Sequence, residues 1–316
     1  MTVAAQYYRK AAFRPGVEYL IGDTRVVLRY RDVVSFDIDC NKAASHEIAR
    51  LCGALDQGLD LTDGLPQFDE FEPYAGEILW ALDRYGMLTE TAPPDRGRLI
   101  GGSAFWAEVA AFVERAKVKA RPVFYEALRS RRTSRAALIR YIQEYYHVVR
   151  AGPAIIAGSL AHAADPETNA ILQQFLSCEL GHDRLIAVAL ASVGITEAEM
   201  VRSLPLPETF AVISSLQVAA DQEPLTFKAL VFLMEEASPE FHQEFIAACE
   251  YEGLGRAFWE PVTQHAAIND EGAHGSISER LLARVEAVAP EERTVVLRQA
   301  MTMTENLVAL EHALLR

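Results

Sequence analysis

Glu179 and His182 lie three positions apart in a segment whose apolar residues recur at helical spacing, ILQQFLSCELGHDRLIAVALASVGI. This periodicity predicts one helix with a buried stripe. Residues three positions apart project from nearly one face of a helix, and a carboxylate with an imidazole is the ligand pair that iron takes in helical bundles. The pair is a candidate for metal binding. The alternative is an ordinary surface pair, because Glu-x-x-His often arises by chance.

A second acidic pair, Glu235 and Glu236, follows an apolar run that ends at Met234. At least one of the two carboxylates is expected to point inward, where burial without a partner is costly. A bound metal ion would remove that cost. The alternative is that both glutamates begin a solvated helix end before Pro239.

The densest set of possible ligands is His265, Asn269, Asp270, Glu271 and His274, all within ten residues. Histidine is scarce, with eight in the whole chain, and imidazoles beside carboxylates favour a metal site. On a regular helix His265 and His274 would lie about 180° apart. Both can bind one ion only if the helix is interrupted or carries a π-bulge, a distortion that is frequent at functional sites.

Another Glu-x-x-His pattern is formed by Glu144 and His147. Together with Glu179 and His182 it would make a ferritin-like site in a four-helix bundle. The sequence therefore leaves this pair as an alternative source of metal ligands.

The chain before about position 95 predicts a small domain that contains both strands and helices. Three runs rich in Val, Ile and Tyr, two of them separated by a Gly22-Asp23 turn, predict three strands in VEYLIGDTRVVLRYRDVVSFDID. After Asn41 the apolar residues recur three and four apart, and Gly86 stands where a helix would stop. We expect a domain over residues 1–95, followed by the linker TAPPDRGRLIGG.

The chain from Ser103 onward shows helical periodicity almost everywhere. It is punctuated by AGPA, HAADPET, SVGIT, LPLPE and SPEF, which predict helix ends. About seven helices are expected, which makes residues 103–316 an all-α, bundle-like domain.

Composition narrows the class of protein. A chain of 316 residues, half of them apolar and 23% charged, is typical of a globular protein with two domains. No run approaches the roughly 18 apolar residues of a membrane span, and the first residues lack the apolar stretch of a signal peptide. We therefore expect a cytoplasmic protein that does not enter membranes.

Charge and cysteine content exclude other classes. The net charge of −14 argues against a nucleic-acid partner, because affinity for phosphate backbones comes largely from lysine and arginine. The four cysteines are scattered and form no CxxC pair. They predict neither a disulfide framework nor a thiolate zinc site.

The order of four motifs resembles the heme-oxygenase-like diiron oxidases, whose fold relatives include thiaminase II, pyrroloquinoline-quinone synthase and a chlamydial protein associating with death domains. The motifs are YIQEYYHVVRAGPAII, CELGHDRL, FLMEEASP and VTQHAAINDEGAHG, within roughly residues 105–316. The resemblance implies a helical bundle that binds Fe(II), with two ions expected. It also implies dioxygen as co-substrate for N-oxygenation, oxidative decarboxylation or carbon–carbon cleavage of amino-acid-like or fatty-acid substrates.

The resemblance also implies a set of catalytic and metal-binding residues. The fourth motif contains His-x3-Asp-x2-His in the family but His-x4-Asp-x3-His here, and Asn269 stands at the strict aspartate position. This departure concerns the second iron more than the first. The helix of Glu144 and His147 is implied only to line the pocket, with Tyr145, Tyr146 and Pro153 shaping the cavity or the core. The implied ligands are Glu179, His182, Glu235, His265, Asp270 and His274.

The N-terminal domain resembles the small winged-helix domains that recognise peptides in maturases of ribosomally made peptides. That resemblance implies binding of a peptide as an added strand at the sheet edge. Structural scaffolding and dimerisation, for instance as a homodimer, are the alternatives for this domain.

The resulting expectation is a mainly α protein in which a heme-oxygenase-like bundle follows a winged-helix-like α+β domain. The expected function is a non-heme iron oxidase or oxygenase, acting on an amino-acid-derived or peptide- or carrier-borne small substrate in natural-product biosynthesis. One alternative keeps the fold without the metal, as a thiaminase-like or cofactor-free enzyme with histidines as acid and base. Another is a peptide-binding protein without enzyme activity.

Overall fold

A computed structural model describes residues 8–30, 34–91, 99–163, 165–235, 239–271 and 276–316, with the backbone alone at 34, 69, 84, 270 and 271. Contacts divide the chain into two compact units. The first comprises Met1–Arg96 with Val118–Ala120, and the second Gly97–Lys117 with Arg121–Arg316.

The first unit contains two antiparallel sheets of three strands, in the orders β5-β1-β6 and β2-β3-β4. The second sheet corresponds to the three predicted strands, with Leu20 opposite Val27 and Leu28 opposite Phe36. The first sheet was not predicted, because its strands have only two to four residues and are too short to show alternation. The strands are β1 Lys10–Phe13, β2 Val17–Ile21, β3 Arg25–Tyr30, β4 Val34–Asp39, β5 Leu59–Asp60 and β6 Leu88–Glu90.

Two helices complete the first unit, α1 Lys42–Gln57 and α2 Glu72–Arg84, with a 3-10 turn at Pro66–Phe71. The Asn41 side chain caps α1 by accepting a hydrogen bond from the amide of Ala44, as an N-cap residue does. Buried apolar residues of α1 and α2 form one core with those of the strands.

The described part of the second unit is almost entirely helical. Its described residues form thirteen helices, more than the seven or so predicted. Seven of them have at least 13 residues, and six short helices lie between these. The helices are α3 Gly102–Ala120, α4 Phe124–Arg129, α5 Arg135–Leu160, α6 Pro166–Glu179, α7 His182–Ala191, α8 Glu197–Arg202, α9 Pro207–Gln222, α10 Pro224–Leu230, α11 Phe232–Glu235, α12 Pro239–Tyr251, α13 Arg256–Glu271, α14 Ile277–Leu282 and α15 Pro290–Leu314.

The predicted helix break at AGPA is wrong, because α5 continues through Pro153 to Leu160. Proline in a helix removes one backbone hydrogen bond and usually kinks or ends the helix. Here Val149 on one side of the proline and Ile155 and Ile156 on the other are all buried. Continuous packing of this face offsets the local cost.

Helix α5 organises the interior of the second unit. It packs against α6, α7 and α9, and α7 packs in turn against α13. Through these contacts, α5, α6, α7 and α13 are neighbours in the interior of the unit. Among the described helices, none combines the length and the apolarity that crossing a bilayer requires.

Candidate metal centre

Three of the predicted ligands, Glu179, His182 and His265, converge inside the helical unit. One ligand atom from each lies within 4.8 Å of the others, and the residues are only 5%, 7% and 2% exposed. Nδ1 of His182 is 3.3 Å from Oε2 of Glu179. The His182 and His265 rings meet edge to face, with centroids 4.7 Å apart. The cluster therefore has the size and composition of a metal site.

The local fold around Glu179 and His182 differs from the prediction of one continuous helix. Glu179 is the last residue of α6, and His182 is the first residue of α7. Between them Gly181 adopts a left-handed conformation with φ of +87°, which glycine adopts without steric cost. The expectation of a shared helix face was wrong, yet the turn at Leu180–Gly181 still brings the two side chains together.

His265 is held by a contact that no local sequence pattern could reveal. The hydroxyl of Tyr145, on α5, lies 2.9 Å from Nδ1 of His265 on α13. Burial, followed by the nearby Tyr141, Glu235 and Glu179, raises the pKa of Tyr145 well above its usual value. If His265 bound a cation through Nε2, its Nδ1 would carry the proton and would donate a hydrogen bond to the Tyr145 oxygen. A hydrogen bond of this kind fixes the tautomer and the ring orientation.

Glu235 and Asn269 form a second polar pair in the same region. Asn269 follows His265 by one turn of α13, and its Nδ2 donates a hydrogen bond of 3.1 Å to Oε2 of Glu235. Both line the cavity that Glu179 and His265 also line. Glu235 lies outside the three-residue cluster, so its expected role as a ligand stays a prediction.

The remaining predicted ligands fall where the structure describes no side chain. The backbone of Asp270 and Glu271 belongs to α13, while Glu236 and His274 lie outside the described residues. Helix α13 is regular from His265 to Glu271. No interruption or π-bulge of the expected kind therefore occurs within that stretch.

Glu144 and His147 do not join the cluster, so the ferritin-like alternative is wrong for the described residues. A carboxylate oxygen of Glu144 accepts a 2.9 Å hydrogen bond from the amide of Leu206, the N-cap residue of α9. His147 lies 3.1 Å from the Ser203 hydroxyl, and burial lowers its pKa. An acidic side chain at a helix N-terminus is a stabilising structural arrangement.

A cavity of about 40 Å³ opens beside the cluster. Its polar wall consists of Tyr145, Glu179, Glu235, His265 and Asn269, and no arginine or lysine is among its described lining residues. A volume of this size holds a few water-sized molecules. Its apolar wall includes Val149, Ile155, Phe175, Ile213, Leu216 and Met234.

Comparison with known proteins identifies a family. The sequence profile of a family described as iron-containing redox enzymes matches residues 139–307, a range that contains Glu179, His182, Glu235 and His265. No curated protein matches the chain.

Solved structures also resemble the chain. One is a domain of unknown function with a heme oxygenase-like fold from Shewanella denitrificans OS217, with a TM-score of 0.53 and 16% identity, covering 68% of this chain and 92% of that one. Another is a TenA family transcription regulator from Silicibacter sp. TM1040, with a TM-score of 0.49 and 14% identity, covering 67% and 95%. The first shares the predicted fold. The chain belongs to the family of iron-containing redox enzymes with a heme oxygenase-like fold.

Proposed function

We propose that this protein is a non-heme iron enzyme that uses dioxygen to oxidise a small organic substrate, with the iron held by Glu179, His182 and His265. The observation that carries the proposal is the convergence of two imidazoles and one carboxylate within 4.8 Å. Two histidines with one carboxylate are the ligand set of many non-heme iron oxygenases.

The three residues fit a ferrous ion by charge as well as by type. All three are buried, and burying a carboxylate is costly unless a positive or hydrogen-bonding partner compensates it. A divalent cation between Glu179 and the two imidazoles supplies that compensation. An iron ion held by Glu179, His182 and His265 would supply the activation of dioxygen that such an oxidation needs.

The protein's own residues position the ligands and limit access of water. The Tyr145 hydroxyl orients the His265 ring through Nδ1. The turn at Gly181 sets the separation of Glu179 from His182. Apolar side chains of α5, α6 and α9 form the other wall of the cavity and restrict water near the ligands.

The cavity also limits the substrate. Its described lining offers two carboxylates and no cationic side chain, so an anionic group of the substrate would find no arginine or lysine partner there. We therefore propose a substrate that places only a small apolar group in the cavity and an amine or neutral group near Glu235. Oxidation of an amine nitrogen, or cleavage of a carbon–carbon bond beside it, are the reactions that this placement supports.

Iron binding by the full-length chain tests the proposal directly. We expect anaerobic loading with Fe(II), followed by gel filtration and metal analysis, to leave iron bound. Glu179→Gln removes the only carboxylate of the cluster with little change in shape, so its iron content should fall at least tenfold. Oxygen uptake with small amine substrates should fall in parallel.

Glu144→Gln is the matched control, because Glu144 is an equally buried glutamate of the helical unit whose carboxylate meets a backbone amide. Its iron content should equal that of the wild type. Equal iron in both variants would contradict the assignment of Glu179. A folded wild type without bound iron would favour acid–base chemistry by His182 and His265 instead.

A further inference from the structure

We infer that this protein holds a single iron ion, because Asn269 places a neutral amide beside Glu235 where a second cation would need a negatively charged ligand. The inference rests on the proposed function and concerns how many ions the same cavity accepts. It starts from the 3.1 Å hydrogen bond between Nδ2 of Asn269 and Oε2 of Glu235.

The direction of this hydrogen bond opposes metal binding. The amide nitrogen of asparagine is a donor without a lone pair for ligation, and it points at the carboxylate oxygen that a second ion would use. Rotating the amide would place its oxygen against the Glu235 carboxylate, so that two acceptors would face each other. Toward Glu235 the observed orientation is therefore the favourable one, and in it Oε2 of Glu235 accepts a hydrogen bond from the amide.

The position of Asn269 is one at which a metal-binding side chain would lie next to Glu235. It is 7% exposed and lies one helical turn beyond His265, on the same face of α13. An aspartate at this position would put a second carboxylate next to Glu235. The two like charges would repel each other unless a cation lay between them.

The experiment counts ions in the full-length protein by anaerobic equilibrium dialysis against Fe(II), with metal and protein analysis. The wild type should bind about one iron per chain, and Asn269→Asp should bind about two. Asn169→Asp makes the same change of charge on α6, at a residue that does not line the cavity, and should still bind one. Glu235→Gln should also keep one, because the first ion does not use this carboxylate.

Each result decides the question. Two irons per chain in the wild type would overturn the inference and leave the proposed function standing, whereas no iron would overturn both. A folded Asn269→Asp protein with one iron would show that the amide is not what limits the number of ions. Loss of iron in Glu235→Gln would place Glu235 in the first site and overturn the inference as well. If Asn269→Asp does not fold, the wild-type count and Glu235→Gln decide.

Discussion

At the scale of residues, the site depends on Tyr145, which contacts one of the proposed ligands. The Tyr145 hydroxyl meets Nδ1 of His265 at 2.9 Å, and the Tyr145 ring lies nearly parallel to that of Tyr141, with centroids 6.0 Å apart. Hydrogen bonds to the outer nitrogen of a histidine ligand commonly change metal affinity about 10- to 100-fold. We therefore regard Tyr145 as a positioning residue for His265.

Tyr145→Phe tests this role. The substitution removes one oxygen and keeps the ring, so the Fe(II) dissociation constant should rise about 10- to 100-fold. Tyr141→Phe is the control, because it makes the same change on the neighbouring, equally buried ring and should leave affinity unaltered. Competition with a coloured Fe(II) chelator measures both. Equal affinities for the two variants would show that the Tyr145 hydroxyl does not position His265.

At the scale of elements, the break between α6 and α7 creates the first ligand pair. Glu179 ends α6 and His182 begins α7, and the left-handed Gly181 turns the chain between them. A residue with a Cβ costs about 1–2 kcal/mol in that conformation. The turn must therefore hold its shape for the two ligands to keep their distance.

Gly181→Ala should lower the free energy of unfolding by about 1 kcal/mol and also weaken iron binding. Gly194 is a close match, because it has the same φ of +87° and also no heavy atom within 4 Å of an added Cβ. Gly194→Ala should cost similar stability and leave iron affinity unchanged. Urea denaturation and iron titration of both proteins provide the comparison. Unchanged iron affinity in Gly181→Ala would mean that the turn is not needed to set the ligand geometry.

The same elements show what the sequence could predict. Period and turn residues predicted β2, β3 and β4, most of the helices and the helix stop at Gly86, because these patterns are local. They did not predict the break at Gly181 or the continuity of α5 through Pro153, where tertiary packing decides. The contact of Tyr145 with His265 joins residues 120 positions apart, and no spacing in the sequence encodes it. The motifs nevertheless pointed to Glu179, His182 and His265.

At the scale of the whole molecule, we expect the two units to have different functions. The family profile covers residues 139–307, which lie in the helical unit. In the first unit, β2 is an edge strand of its described sheet, with Tyr19, Leu20 and Ile21 exposed. Strand addition by a peptide at such an edge, like homodimer formation, stays a prediction.

A chain that begins at residue 97 should bind iron with the affinity of the full-length protein, because every proposed ligand belongs to the helical unit. Circular dichroism checks that the shortened chain is helical, and equilibrium dialysis measures its iron. The full-length chain in the same buffer is the reference. A helical, monodisperse product without iron would show that the site needs the first unit.

The most direct test of the central claim is a crystal structure of the iron-loaded protein, with diffraction collected on both sides of the iron absorption edge. We expect one anomalous peak per chain, at metal–ligand bonding distance from the Glu179 carboxylate and from one nitrogen each of His182 and His265. A peak held by other residues, or no peak among these three, would contradict it.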